Sequence, residues 1–289
     1  MTPAELLKLG FMVSIVLAVL GLGLTTSWND VTYLLRKPGL LARSLLSMYV
    51  IMPFICACAA LIFRLPPTVK VALMALAISP MPPFLPKKEI MAAGGRAAYA
   101  VGLLSLCAVL SIVYVPLVTS LFRGWFESAG GIPAASVAKI VFVTILIPLL
   151  VGMTLRATAP ALAEKAAKPA GVAAMGFLLV CSVFLLLKEW PVIRSFIGDG
   201  TLLILALIAL VATAVGHFLG GPHPWERTVL GLSTSARHPG VAITIATFGV
   251  PEGRLALGAV LLYVFVVTTV TVPYVIWCMR RARLAGAMA

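Results

Sequence analysis

Charge is what this chain has least of. Only 11% of its 289 residues are Asp, Glu, Lys or Arg, and only 9 are acidic, whereas a soluble domain carries about 25% charged residues. Long stretches have none: Leu9 to Asn29, Ser44 to Phe63, Ala97 to Phe122, Pro169 to Leu187, Gly200 to Trp225 and Leu255 to Met279. Each reaches or approaches the ~20 residues that a membrane-spanning helix needs. One such run could be a buried core helix; six exclude a soluble fold. The runs do not alternate apolar and polar residues, which excludes a transmembrane β-barrel. Cysteine is sparse, with 5 residues. Cys56 and Cys58 are the one close pair, and their spacing fits neither a zinc knuckle nor a redox pair. The chain has no G-x-S-x-G, no H-E-x-x-H and no paired intramembrane aspartates. The reading is therefore not an enzyme, with no cofactor and no metal centre.

What is present is apolar: 62% of the residues are hydrophobic and the mean hydropathy is +1.11. Three weaker spans join the six runs. Two of them open apolar and are then interrupted by proline or glycine beside charges; the third carries Lys139 near its end. The expectation is an all-α polytopic membrane protein of about nine transmembrane helices, at roughly 9–26, 40–63, 68–94, 97–122, 136–155, 170–187, 201–221, 226–249 and 255–279. The first run is too long for the apolar part of a signal peptide and is read as a permanent helix. With the N-terminus outside, the inner loops hold 11 basic residues and the outer loops 8. This places the C-terminus in the cytoplasm of a multi-pass cell-membrane protein. The net charge of +13 is scattered over short loops, which excludes nucleic acid as a partner and leaves the lipid bilayer.

The segment AISPMPPFLPKKEI, from Ala77 to Ile90, places four prolines in the middle of a span and follows them with Lys87, Lys88 and Glu89. A second interrupted span resembles it at an offset of 157 residues. That shift aligns Pro67 with Pro224, Lys70 with Arg227, Leu73 with Leu230, Pro82 with Pro239 and Pro116 with Pro273. The first repeat covers about 40–122 and the second about 200–279, within a single unit of 1–289. Five spans separate their starts, and five is odd, so the copies are inverted. Inverted repeats with one discontinuous helix each mark secondary transporters, in which half-helix ends and free backbone serve a cargo at mid-membrane.

The landmarks LGLGLT, RKPGLL, VIMPF, RLPP, SPMPP and SARHPGVAITIA follow one another along nearly the whole chain. In them it resembles the bile acid:sodium symporter family. The resemblance implies a panel domain, a core domain and two discontinuous helices that cross at the substrate site. It also implies ten spans in many members, of which this chain lacks the first. Sodium ligands of coupled members fall on Ser233, Met48, Leu85 and Pro86 here, and the Gln-Asn pair becomes Arg237 and His238. A thioether, an apolar chain, a proline and a guanidinium make a poor sodium site.

Lys87, Lys88, Arg237 and Glu89 sum to +3 − 1 = +2, which repels Na⁺ and attracts an anion. The candidate substrate-binding residues are Lys87, Lys88, Arg237, His238 and Pro86. One of the two lysines is expected to snorkel to the surface and the other to face the cavity. The alternative for Arg237 is a structural ion pair with Glu89. Glu89 and His238 are the candidates for proton coupling. Ser233, Thr234 and Ser235 are candidate ion ligands, or else satisfy the backbone of an irregular helix. The expected function is secondary transport of a small organic anion by alternating access. Either H⁺ or Na⁺ is the candidate coupling ion, and sodium is the poorer fit. The alternatives are a sodium-coupled anion symporter and an arsenite- or auxin-efflux-type carrier.

Overall fold

In the computed structural model, which describes residues 3–92, 94, 97–121, 134–197, 200–249 and 253–284, every described element is helical. Six helices are long and apolar enough to cross a membrane: Pro38–Ile62, Ala98–Leu121, Ala138–Thr158, Pro160–Ser195, Thr201–Leu219 and Leu257–Leu284. The protein is a multi-pass integral membrane protein.

Helix α1 is Pro3–Gly23. A helical turn at Trp28–Val31 follows, closed by a capping box between Ser27 and Asp30. Helix α2 runs Pro38–Leu45, Leu46–Ile51 and Met52–Ile62 without a gap. Next come α3 (Pro67–Ile78), α4 (Leu85–Ala92) and α5 (Ala98–Leu121). Helix α6 joins Ala134–Val141, Phe142–Leu146 and Ile147–Thr158. After it lie α7 (Pro160–Ser195), α8 (Thr201–Leu219), α9 (Pro224–Ser235), α10 (Pro239–Gly249), α11 (Gly253–Val270) and α12 (Val272–Leu284).

The middle stretches of α2 and α6, Leu46–Ile51 and Phe142–Leu146, are π-helical. Each lies just ahead of a proline, Pro53 or Pro148. A proline inside a helix brings no N–H and its ring crowds the carbonyl four residues earlier. Widening the turn relieves that crowding and leaves carbonyls free. The unpaired carbonyls of α2 become part of the site.

Helix α7 contains the expected span 170–187 and extends well beyond it at both ends. It has 36 residues, about 54 Å at 1.5 Å each, well beyond the ~30 Å hydrocarbon core. Residues assigned to loops, Glu164, Lys165 and Lys168 at one end and Lys188, Glu189 and Arg194 at the other, lie inside the helix. The sequence ALAEKAAK consists of strong helix formers, so the connection from α6 shrinks to Ala159, the residue before α7.

Helices α1, α6 and α7 pack together. The backbones of α1 and α6 touch: a Cβ on Gly23 would sit 2.5 Å from the Leu149 oxygen, and one on Gly152 2.6 Å from the Leu20 oxygen. Small residues permit such close helix approach in membranes. The larger group centres on α3, which packs on α2, α10 and α11. From Ala72 to Ile78 no residue of α3 is more than 1% exposed, as a helix apolar on every side requires.

Candidate functional site

Helices α3 and α9 are each 12 residues long. Each begins with a proline at its first turn, where the missing N–H would have no partner anyway. Each ends as the chain turns extended, at Ser79 (φ −72°, ψ 150°) and at Ala236 (φ −89°, ψ 138°). Helix resumes at Leu85 in the first case and at Pro239 in the second. The two non-helical segments meet: the His238 N–H donates to the Pro80 carbonyl at 2.8 Å.

Arg237 fastens this junction to α2. Its Nη2 donates to the Met48 carbonyl at 2.9 Å and its Nη1 to the Ser79 carbonyl at 3.4 Å. The side chain is 2% exposed. Both carbonyls are available for a local reason. The Met52 N–H bonds to Ser47 in the π stretch, and the next residue, Pro53, has no N–H to offer Met48. The neighbouring Tyr49 carbonyl takes the Tyr114 hydroxyl at 2.7 Å. Ser79 lies at the C-terminal end of α3, where helix carbonyls are unpaired and the helix dipole is negative. The guanidinium thus sits where a cation is favoured, on carbonyl oxygens.

The alternative for Arg237, an ion pair with Glu89, is not formed between these two described side chains. The carboxylate of Glu89, fully buried, accepts the Ser233 hydroxyl instead. That bond ties α4 to α9. Ser233 also lies 3.7 Å from the Met81 sulfur. Thr234 bonds to Ser47 at 2.7 Å and to the Leu230 carbonyl at 2.8 Å. Ser235 bonds back to the carbonyls of Gly231 and Leu232. The last two hydroxyls are thus spent within and between helices.

His238 caps α10. Its Nδ1 accepts the backbone N–H groups of Gly240 at 3.1 Å and Val241 at 3.4 Å, which satisfies two donors of the first turn. Since Nδ1 accepts, the ring proton resides on Nε2. Three buried side-chain atoms here have no hydrogen-bond partner among the described residues: Glu89 Oε2, Arg237 Nε and His238 Nε2. Such atoms in a native fold call for an explanation, water or a ligand being the usual one.

Lys88 reaches away from this centre, with its Nζ 2.8 Å from Thr271 Oγ1, at the join of α11 and α12. Pro86 is buried in the first turn of α4. The Lys87 side chain lies outside the described residues. An apolar cleft lined by Ala18, Leu22, Pro83, Phe84, Gly171, Ala174 and Met175 separates the first break from α1 and α7. Its free volume is about 20 Å³, room for roughly one water molecule. Sequence reasoning missed the backbone carbonyls of Met48, Ser79 and Pro80 as hydrogen-bond acceptors of the site, and Tyr263, whose hydroxyl donates to the Ser235 carbonyl at 2.8 Å. The Met-Pro pair inside a span was the available signal for the first.

Buried helices of this length, broken and joined at their breaks around polar side chains, define a helical membrane protein with a polar centre in its apolar core. The sequence model of the Sodium Bile acid symporter family matches residues 12–196. The chain belongs to that family and is a membrane transporter. None of the curated proteins compared with the chain matches it. The family match stops short of α8–α12, so the segment with Arg237 and His238 lies beyond the matched residues.

Proposed function

We propose that this transporter carries a small organic anion by alternating access and does so without sodium. Nine spans follow if α1 and the two interrupted pairs α3–α4 and α9–α10 each count as one beside the six long helices. The inverted repeat is supported by α3 and α9, equal in length and offset by 157 residues at both ends. Helices α1, α6 and α7 then form the panel, and α2–α5 with α8–α12 the core. The apolar cleft between α1, α7 and the first break is the place where a cargo would enter. Helix α4 presents its N-terminal end just beyond Pro83 and Phe84, and a helix N-terminus favours negative charge. Lys87 is the proposed charged ligand beside it.

The observation that carries the sodium-independent reading is the pair of bonds from Arg237 to Met48 and Ser79. Transporters with broken helices coordinate their coupling cation with unwound carbonyls and half-helix C-terminal ends. Here a tethered guanidinium occupies carbonyls of that kind. It is therefore assigned to holding the crossing closed rather than to the cargo. A proton remains the proposed coupling ion. His238 Nδ1 is committed to its cap, which leaves Glu89 Oε2 as the acceptor. Uptake of radiolabelled carboxylates and sulfonates into proteoliposomes tests the function. Accumulation or exchange of at least one anion over protein-free liposomes is expected. Failure with every anion alongside transport of a neutral or cationic solute would reject the anion reading.

A further inference from the structure

A second polar site lies at one membrane face, away from the crossing. The N-terminal end of α2 and the connection between α8 and α9 enclose an open groove of about 210 Å³, lined in part by Lys37, Gly39, Leu40, Arg43, His223 and Glu226. Glu226 is 2% exposed and accepts Lys37 at 3.0 Å and the Tyr33 hydroxyl at 3.2 Å. Its charge is thus already matched. Lys37 is held over the rings of Tyr33 and Trp225, at 4.6 and 5.6 Å.

The remaining donors of the groove are not spent. Arg43 uses Nε on the Gly39 carbonyl; its two terminal amino groups make no hydrogen bond among the described residues. They lie against Gly221, where a Cβ would approach them to 3.0 and 3.2 Å. Gly221 has φ +98°, so both its backbone and its bareness favour glycine. The opposite wall is fixed as well, because Arg227 Nε donates to the Gly221 carbonyl at 2.6 Å. The His223 ring stacks on Trp225 at 6.2 Å and 19° and makes no hydrogen bond among the described residues.

The depth of the groove follows from its neighbours. Trp225 stacks on His223 of the groove, Trp277 lies 5.7 Å from His217 at the end of α8, and Trp28 begins the turn that leads into α2; Trp28 is 59% exposed and Trp277 40%. Tryptophans mark the headgroup level of a bilayer. The bases Arg36, Arg227 and Arg281 surround the groove's end of the molecule: Arg281 lies 4.1 Å over Trp277, and Tyr274, one turn earlier, reaches back to His217 at the end of α8 at 2.7 Å.

We infer that this groove binds the phosphate of an anionic phospholipid headgroup from the surrounding leaflet, with Arg43 and His223 as its ligands and Lys37 flanking them. Basic pockets between helix ends at the headgroup level suit such lipids. The groove bridges the segment that follows α1 and the α8–α9 connection, so a bound headgroup stabilises that junction. The inference stands independently of the cargo and its coupling.

The full-length protein in neutral detergent is titrated with dioctanoyl phosphatidylglycerol, and its thermal unfolding is followed. The melting temperature should rise and saturate with phosphatidylglycerol and not with dioctanoyl phosphatidylcholine. Arg43→Ala and His223→Ala should each weaken the half-saturating concentration by about fivefold, from roughly one favourable charge or donor. Lys165→Ala, outside the groove, should leave it unchanged. If Arg43→Ala does not fold, His223→Ala alone decides. An equal response to phosphatidylcholine, an unchanged response in the variants, or an equal loss in Lys165→Ala would overturn the inference. Inorganic phosphate that stabilises as well as the lipid at equal concentration would overturn the lipid source and leave a free-phosphate site.

Discussion

Replacing Arg237 with methionine tests the crossing most severely. Methionine keeps most of the side-chain length and removes the charge and both bonds. The loss side is explicit. The Met48 carbonyl has no helix partner because of Pro53, and the Ser79 carbonyl has none because α3 ends there. A buried acceptor left unpaired costs about 1–3 kcal/mol. The 3.4 Å bond to Ser79 is long, so its share belongs at the lower end, and the two together come to about 2–4 kcal/mol. The gain side is the relief of a buried cation with no carboxylate against it among the described residues, a burden that well-packed apolar residues often remove. These terms partly offset, so stability should fall by at most about 2–3 kcal/mol and the protein should still fold. Transport should collapse, because the two break segments then lose their ties to the Met48 and Ser79 carbonyls, which the Thr234–Ser47 bond ahead of the second break does not replace. Added guanidinium should restore part of the transport and of the melting temperature by re-occupying the carbonyls. Thermal unfolding and anion uptake are measured on the same preparation. A folded Arg237→Met protein with full uptake would refute the tethered-cation role. Loss of substrate affinity alone, with no change in stability and no response to guanidinium, would make Arg237 a cargo ligand instead.

Three smaller perturbations follow from the same geometry. Gly152→Ala places a Cβ 2.6 Å from a backbone oxygen of α1, where neither chain yields easily; overpacking of this kind costs about 1–3 kcal/mol, seen as a lower melting temperature, and an unchanged value would contradict the close contact. Pro53→Ala supplies an N–H that competes with Arg237 for Met48, so uptake should fall while thermal stability stays level or rises; normal uptake would show that the π stretch is dispensable. Lys37→Ala leaves the carboxylate of Glu226, whose side chain is 3% exposed, with Tyr33 alone, whereas Glu226→Gln leaves a half-exposed lysine facing water. The first should destabilise more, by about 1–3 kcal/mol, against under about 1 kcal/mol for the second, and equal losses would argue against the burial asymmetry.

Much of the fold could be read along the chain, because apolar runs and proline breaks follow from local chemistry. Pro67 and Pro224 start their helices, and the breaker residues after Ile78 and Ser235 end them. The limits of α7 could not be read from charge alone. Glu164, Lys165 and Lys168 look like a loop in a hydropathy argument, yet they are good helix formers on a helix longer than the bilayer. The candidate site was legible in which residues meet and not in their bonds. Arg237, His238, Glu89 and Ser233 are all candidates in the sequence, and the structure gathers them at or beside the junction of the two breaks. Their partners are mostly backbone carbonyls, which leave no mark on a sequence except through a proline such as Pro53. Lys88 was counted toward the charge of the crossing; its contact with Thr271 depends on which way α4 faces after the break, and no local pattern sets that.

The most direct test of sodium-independent transport is uptake of a transported anion into proteoliposomes under an inward Na⁺ gradient, compared with equal gradients of K⁺ or choline. Uptake should be the same in all three and should respond to an imposed pH gradient. Strong stimulation by inward Na⁺, absent with K⁺ or choline, would contradict the claim and would place a sodium site among the carbonyls and hydroxyls around Ser233 to Ser235.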